Sequence, residues 1–178
     1  MEVAMAYDRH EEATVVVAGA PSDVFALLDD QIALGAHMSR PSAMMAGGRM
    51  DYELDAAQGK AVGSVIRMSG AMLGLRLSVT EKITERAAPV RKAWETQGPQ
   101  NMLVIDAYRM GFEIQPEGKG SRVRVFIDYR LPRSAFSFMA ASLSRIYARW
   151  CIGRMAGEAV KRFGRLEAPA PTRTTSNA

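Results

Sequence analysis

Between Met50 and Leu131 the side chains switch between apolar and polar at nearly every step, and this period of two limits the fold more than any other feature. Met50, Tyr52 and Leu54 alternate with Asp51, Glu53 and Asp55, and Ile66 and Met68 alternate with Arg67 and Ser69. Leu75, Leu77, Val79 and Ile83 alternate with Arg76, Ser78, Thr80, Lys82 and Thr84. Lys92 to Thr96 reads as a short strand around Trp94, after a turn at Pro89. Tyr108, Met110, Phe112 and Ile114 oppose Arg109, Gly111, Glu113 and Gln115, and Pro116 to Gly120 reads as a hairpin turn. Val123, Val125, Ile127, Tyr129 and Leu131 then oppose Arg122, Arg124, Asp128 and Arg130. Successive strand residues point to opposite faces, so the pattern predicts an antiparallel sheet with one wet face and one covered face.

The cover is predicted to be a helix from Ser134 to Phe163. Phe136, Met139, Leu143, Ile146, Tyr147 and Trp150 recur there at three- and four-residue steps. Upstream, the β-branched run Thr14 to Ala18 reads as a strand, broken at Gly19-Ala20. Pro21 and Asp23 suit the start of a short helix carrying Val24, Leu27 and Leu28, which ends at Asp29-Asp30. Gln31 to Met38 reads as a second short helix. The predicted fold class is therefore α+β: strand, two short helices, six strands, long helix. Residues 12–165 form the domain, 1–11 an N-terminal extension, and 166–178 an aperiodic tail expected to be disordered.

A chain of 178 residues suits one domain. Cys151 is the sole cysteine, which excludes an intrachain disulfide. The N-terminus carries Glu2, Asp8, Glu11 and Glu12 without an apolar run, unlike a secretory signal. The uncharged stretch Ser134 to Ser144 is far short of the ~20 residues that cross a bilayer. A cytoplasmic location is expected. Net charge is +4, and the segment Arg133 to Arg165 holds six Arg and one Lys against Glu158. That basic helix could make weak contact with an anionic membrane surface; nucleic acid is not an expected partner.

Motifs for demanding chemistry are missing. Of the two histidines, His10 lies in a polar N-terminal segment and the other is His37; nothing supplies the activation a Ser or Cys nucleophile needs, and no Gly-x-Ser-x-Gly elbow occurs. Cys151 beside Trp150 reads as a small buried hydrophobe. His37 with Met38, Met44, Met45 and Met50 could make a soft copper set, but methionine packing is the simpler account, and no metal or cofactor is expected. Gly118-Lys119-Gly120-Ser121 resembles the end of a phosphate loop, yet it joins two strands.

Three segments carry a resemblance. They are Val15 to Leu28 with its strand, Ala20-Pro21 and Val24-Phe25; Val79-Thr80-Glu81-Lys82-Ile83 leading to Pro89 and Trp94-Glu95; and the last strand passing through Leu131-Pro132 into the long helix. They resemble the helix-grip superfamily of START lipid-transfer domains, polyketide cyclases and birch-pollen-allergen-like proteins (SRPBCC), over residues 12 to 165. His37 to Met45, Trp94-Glu95-Thr96, Tyr108 to Glu113 and Arg124 to Tyr129 are similar to a bacterial subgroup labelled polyketide cyclase/dehydrase and lipid transport. The resemblance implies a sheet of about seven strands curved around the long helix, with an apolar cavity between them. It implies no catalytic set, because such folds share a cavity and not a reaction.

Glu81 shares the inward parity of Leu77, Val79 and Ile83, where an isolated carboxylate is costly. Tyr52, Tyr108, Tyr129 and Tyr147 also fall on the inner side, each with a hydroxyl needing a partner. The expected cavity lining is Met44, Tyr52, Ile66, Met68, Leu77, Val79, Glu81 and Trp94. It continues through Tyr108, Met110, Phe112, Ile127, Tyr129, Met139, Leu143 and Tyr147, with a mouth at the segment from His37 to Met50 and the start of the long helix. The leading expectation is binding or transport of a hydrophobic small molecule such as a lipid, quinone or polyketide-like compound. The alternatives are a polyketide cyclase or aromatase using Glu81, His37 and Tyr129, and a membrane-associated adaptor.

Overall fold

The computed structural model describes residues 7–35, 49–72, 75–132 and 137–166. Its elements are β1 (Arg9–Val17), α1 (Pro21–Asp29), α2 (Gln31–Gly35), β2 (Arg49–Leu54), β3 (Val65–Met72), β4 (Leu75–Ala87), β5 (Arg91–Thr96), β6 (Ala107–Glu117), β7 (Gly120–Arg130) and α3 (Ser137–Phe163). The seven strands form one open sheet in the order β1-β7-β6-β5-β4-β3-β2, and every neighbouring pair is antiparallel. The predicted element order stands. Trp94, Met110, Phe112, Ile127 and Tyr129 are buried on the inner face, while Arg124 and Asp128 point outward.

β1 starts at Arg9, inside the stretch read as an N-terminal extension, and pairs Arg9 with Tyr129. Its first half carries charges on both parities, which hides the strand from a hydrophobic pattern. Glu11, on the inward parity of Ala13 and Val15, is held from the helix side: Arg145 Nε lies 2.7 Å and Arg149 Nε 3.0 Å from its carboxylate.

Those ion pairs help set how α3 is turned. The residues it presents to the sheet are Ser144, Ala148, Ile152, Met155, Ala156 and Ala159, all buried. Small side chains there let α3 lie close to β1 and β7, its nearest strands. Leu143 and Ile146, expected in the covering stripe, are 51% and 55% exposed. Hydrophobic size alone misjudged the helix face, because close approach selects alanine and serine. The Ser144 hydroxyl donates to the Val104 carbonyl. Leu75, read as inward, is 53% exposed at the tip of the β3–β4 hairpin. Met44 and His37 lie outside the described residues, as do the N-terminal half of the expected mouth and the tail from residue 167; nothing is described of the Met139 side chain.

A β-bulge in β4 lets the sheet curve and swaps the faces of the residues beyond it. Ile83 pairs with Trp94, but Glu85 pairs with Ala93, leaving Thr84 as the extra residue. Simple alternation would send Arg86 outward; the bulge sets it opposite Lys92 on the inner face. Lys92 is 0% exposed and donates to Asp29 Oδ1 at 2.8 Å and to the Asp29 carbonyl at 3.1 Å. Arg86 reaches the same carboxylate at 2.8 Å and lies 5.3 Å from the centre of the Phe25 ring, which packs edge-on to Phe112. Burial pushes the Asp29 carboxyl up, and the hydrogen bonds from Arg86 and Lys92 overcome it, so its pKa lies below the ordinary value. The triad pins the α1–α2 corner onto β4 and β5.

On the outer face, Phe126 is buried although its parity faces water. Arg109 and Arg124 lie over its ring at 5.7 and 5.3 Å. Gly111 makes room for it: a Cβ there would meet the Phe126 ring at 2.8 Å and the Lys92 carbonyl oxygen at 2.5 Å.

Removing one member of the buried triad leaves the others uncompensated. Asp29→Ala should lower the unfolding free energy in urea by about 3–5 kcal/mol, because Lys92 then stays buried without its anion. Arg122→Ala, at the exposed hairpin end where Arg122 pairs with Glu117, should leave the urea midpoint nearly unchanged.

Candidate functional site

One row of inward residues crosses the sheet where its polar chemistry collects. Register places Leu54 opposite Ile66, Ile66 opposite Glu81, and Glu81 opposite Thr96. Thr96 Oγ1 accepts from the Tyr108 backbone N–H at 3.2 Å and so carries the row across to β6, where Tyr108 pairs with Tyr129. Glu81 is 5% exposed in a run of buried apolar residues, Leu77, Val79 and Ile83.

Two donors converge on this carboxyl. The Tyr108 hydroxyl donates to Glu81 Oε1, and the Trp94 indole supplies a second hydrogen bond. Burial nevertheless pushes the Glu81 pKa up from 4.5 to about 7, with Tyr108, Trp94 and the charge of Lys92 offsetting part of the rise. Burial also raises Tyr108 well above its ordinary value.

Two more phenols and a thiol complete the cluster. Tyr52, on β2, is raised by burial and then by the Glu81 charge, and its buried hydroxyl has no hydrogen-bond partner among the described residues. Tyr147, on α3, hydrogen-bonds Cys151 one turn later and feels both Tyr52 and Glu81. Burial pushes the Cys151 thiol up to about 12, so at neutral pH it is a small polarisable group and not a nucleophile. Tyr147 reaches from α3, whose backbone runs nearest β1 and β7, toward Tyr52 and Glu81 on the inner face of β2 and β4.

The expected lining is only partly assembled here. Tyr52, Glu81, Trp94, Tyr108 and Tyr147 come together. Ile66, Met68, Leu77 and Val79 pack into the same core from β3 and β4, and Met110, Phe112 and Ile127 from β6 and β7. Leu143 does not join, because it points away from the sheet. Tyr129 is buried, but its charged neighbours are Glu11, Arg9 and Arg145, not Glu81. His10 lies on the outer face, where Nδ1 sits 2.7 Å from Asp128 Oδ1 and Nε2 3.2 Å from Glu12 Oε2. Among the described residues no group of three His, Cys, Asp or Glu side chains is arranged to hold a metal, and no helix is long and apolar enough to cross a membrane.

Cys151 was legible only as core, and the partnership of Tyr108 with Glu81 was not legible at all. Their positions are 27 residues apart in sequence, and register alone brings them together. Lys92 had a usable signal: it shares the parity of buried Trp94 and Thr96.

The Glu81 carboxyl binds its proton more tightly folded than unfolded. Its linkage therefore favours the fold below the unfolded pKa near 4.5, and that advantage is lost as pH rises through about 7. Glu81→Gln should match the native protein in acid. Above neutrality it should be more stable by at most about 3 kcal/mol, measured by urea unfolding across the pH range.

The family described as polyketide cyclase / dehydrase and lipid transport matches residues 9–160. No curated protein matches the chain. Solved structures share the fold at low identity. TTHA0849 from Thermus thermophilus has a TM-score of 0.64 at 16% identity, covering 86% of this chain and 96% of that one. Zhui aromatase/cyclase from a Streptomyces species has a TM-score of 0.61 at 15% identity, covering 86% and 94%. Ginseng major latex-like protein 151 from Panax ginseng has a TM-score of 0.51 at 11% identity, covering 85% and 97%. With its curved antiparallel sheet gripping a C-terminal helix, and a family match spanning nearly all of it, this chain belongs to the polyketide cyclase/dehydrase and lipid transport family of the START-like (SRPBCC) superfamily.

Proposed function

We propose that this protein binds and carries an apolar small molecule between the inner face of β2–β5 and α3, with the polar end of the ligand set against Glu81. The observation that carries this reading is the Tyr52 hydroxyl, buried beside a buried carboxyl with no hydrogen-bond partner among the described residues. Buried polar groups are nearly always satisfied, and a ligand atom would satisfy this one. The body of the ligand would meet Ile66, Met68 and Val79, and the methionine suits one site to several related shapes.

A second reading is a cyclase-type enzyme. It is favoured by the Glu81 pKa of about 7, which suits a general acid or base at neutral pH, and by its hydrogen bond to Tyr108. Glu81 would exchange the proton and Tyr108 would hold the carboxyl in place. Carriage ranks first because it needs only a site, whereas cyclisation also needs a second group that manages charge on the substrate.

Uptake of an apolar fluorescent probe such as 1-anilinonaphthalene separates a ligand site from a solid core. Cys151→Trp, which projects bulk from α3 toward Tyr147 and Tyr52, should abolish probe uptake. Leu143→Trp, on the exposed side of α3, should leave it unchanged. Native mass spectrometry of freshly purified protein should show a bound small molecule. A native protein that takes up no probe and carries nothing would sink the carrier reading.

A further inference from the structure

Among the described residues, the acidic side chains buried on the inner face divide into two kinds. Asp29 is met by Arg86 and Lys92 at hydrogen-bonding distance. Glu81 is met by neutral donors, the Tyr108 hydroxyl and the Trp94 indole. The cation that acts on it is Lys92, whose own hydrogen bonds go to the Asp29 carboxylate and carbonyl. Glu81 therefore sits in a low-dielectric site without a dedicated countercharge.

The surroundings of Glu81 are aromatic. Trp94 comes from β5, Tyr108 from β6, Tyr52 from β2 and Tyr147 from α3; Thr96 on β5 and Ile66 on β3 flank Glu81 in register, and Cys151 on α3 is the remaining titratable neighbour. Every group in that set is neutral at physiological pH apart from Glu81 itself. A desolvated organic cation needs a carboxylate, an oxygen lone pair and electron-rich ring faces. Glu81, the unpartnered Tyr52 oxygen and the four rings supply those features. An anionic head would meet a like charge, and the basic side chain that reaches Glu81, Lys92, already gives its hydrogen bonds to Asp29. A neutral head would leave the carboxyl protonated and gain nothing from its charge.

We propose that the molecule held at this site is a cationic amphiphile, an amine or quaternary ammonium on an apolar body, whose charge is the missing partner of Glu81. This rests on the carrier reading above and narrows it to a ligand class. Binding such a head favours ionised Glu81, so its proton leaves as the ligand enters. The raised pKa has its origin in the same arrangement, since burial without a countercharge favours the protonated form.

The test compares dodecyltrimethylammonium, dodecanol and dodecanoate below their micellar concentrations, by calorimetry one unit below and one unit above the Glu81 pKa of about 7. The quaternary head is used because it does not titrate. It should bind at least about tenfold tighter than dodecanoate and strengthen by about tenfold across the pH step, releasing a proton. Glu81→Gln should abolish that pH step and weaken ammonium binding by at least about tenfold, while dodecanol loses only a few-fold because an amide still hydrogen-bonds a neutral head. Tyr52→Phe, which removes that oxygen and keeps the ring, should weaken the ammonium by a larger factor than dodecanol. Dodecanoate binding as tightly as the ammonium, or ammonium binding indifferent to both substitutions, overturns the proposal while dodecanol uptake leaves carriage standing. Failure of all three ligands overturns carriage and this proposal together.

Discussion

A lysine with no exposed surface must be compensated where it lies, and the architecture on this side of the sheet depends on that constraint. Lys92 sits on a central strand, under the corner where α1 gives way to α2. Its anion comes from the last residue of α1, Asp29, and its companion Arg86 comes from beyond the bulge in β4. The bulge is therefore an electrostatic device as well as a source of curvature: without the extra residue at Thr84, Arg86 would face water. Each member is costly to bury alone, and together they fix helix, bulge and strand relative to one another.

Glu81 is the counterpoint a few residues away on the same inner face. It has the burial of Asp29 without cations at hydrogen-bonding distance, and the consequence is a carboxyl poised between its two protonation states near neutral pH. Structural ion pairs are closed systems with every charge answered. The Glu81 cluster is open, with neutral donors on the acid and one phenol oxygen unanswered among the described residues. That contrast within one core separates a group that holds the fold from the one to which we assign the proposed ligand.

The long helix shows how packing distance outranks hydrophobicity. α3 approaches β1 and β7 through Ala148, Ala156, Ala159 and Ser144, and the Glu11 pairs with Arg145 and Arg149 hold its rotation. Large residues on the approach face would have pushed it off. The consequence is a helix close to one edge of the sheet, with long side chains spanning to the other. On the outer face, Phe126 repeats the theme: it is buried not by parity but because Gly111 lets it lie flat under two arginines.

Alternation of side chains between Met50 and Leu131, with the β-branched run Thr14 to Ala18, was enough to place seven strands, the two faces of the sheet and the inward position of Glu81, because the period of a strand is a local property of the backbone. Residue spacing also located the three helices, and the signature around Ala20-Pro21 pointed to the superfamily. Pattern could not see a bulge, because one extra residue inverts the parity it relies on; Arg86 was invisible for that reason. Nor could it choose the helix face, since Leu143 and Ile146 outrank alanine on any hydrophobic scale, while only the distance to β1 and β7 selects the small residues. Partnerships were the last thing to emerge. Tyr108 with Glu81 and Asp29 with Lys92 are set by strand register and by the seating of α1 on the sheet, which join residues far apart in the chain and exist only once the strands have paired.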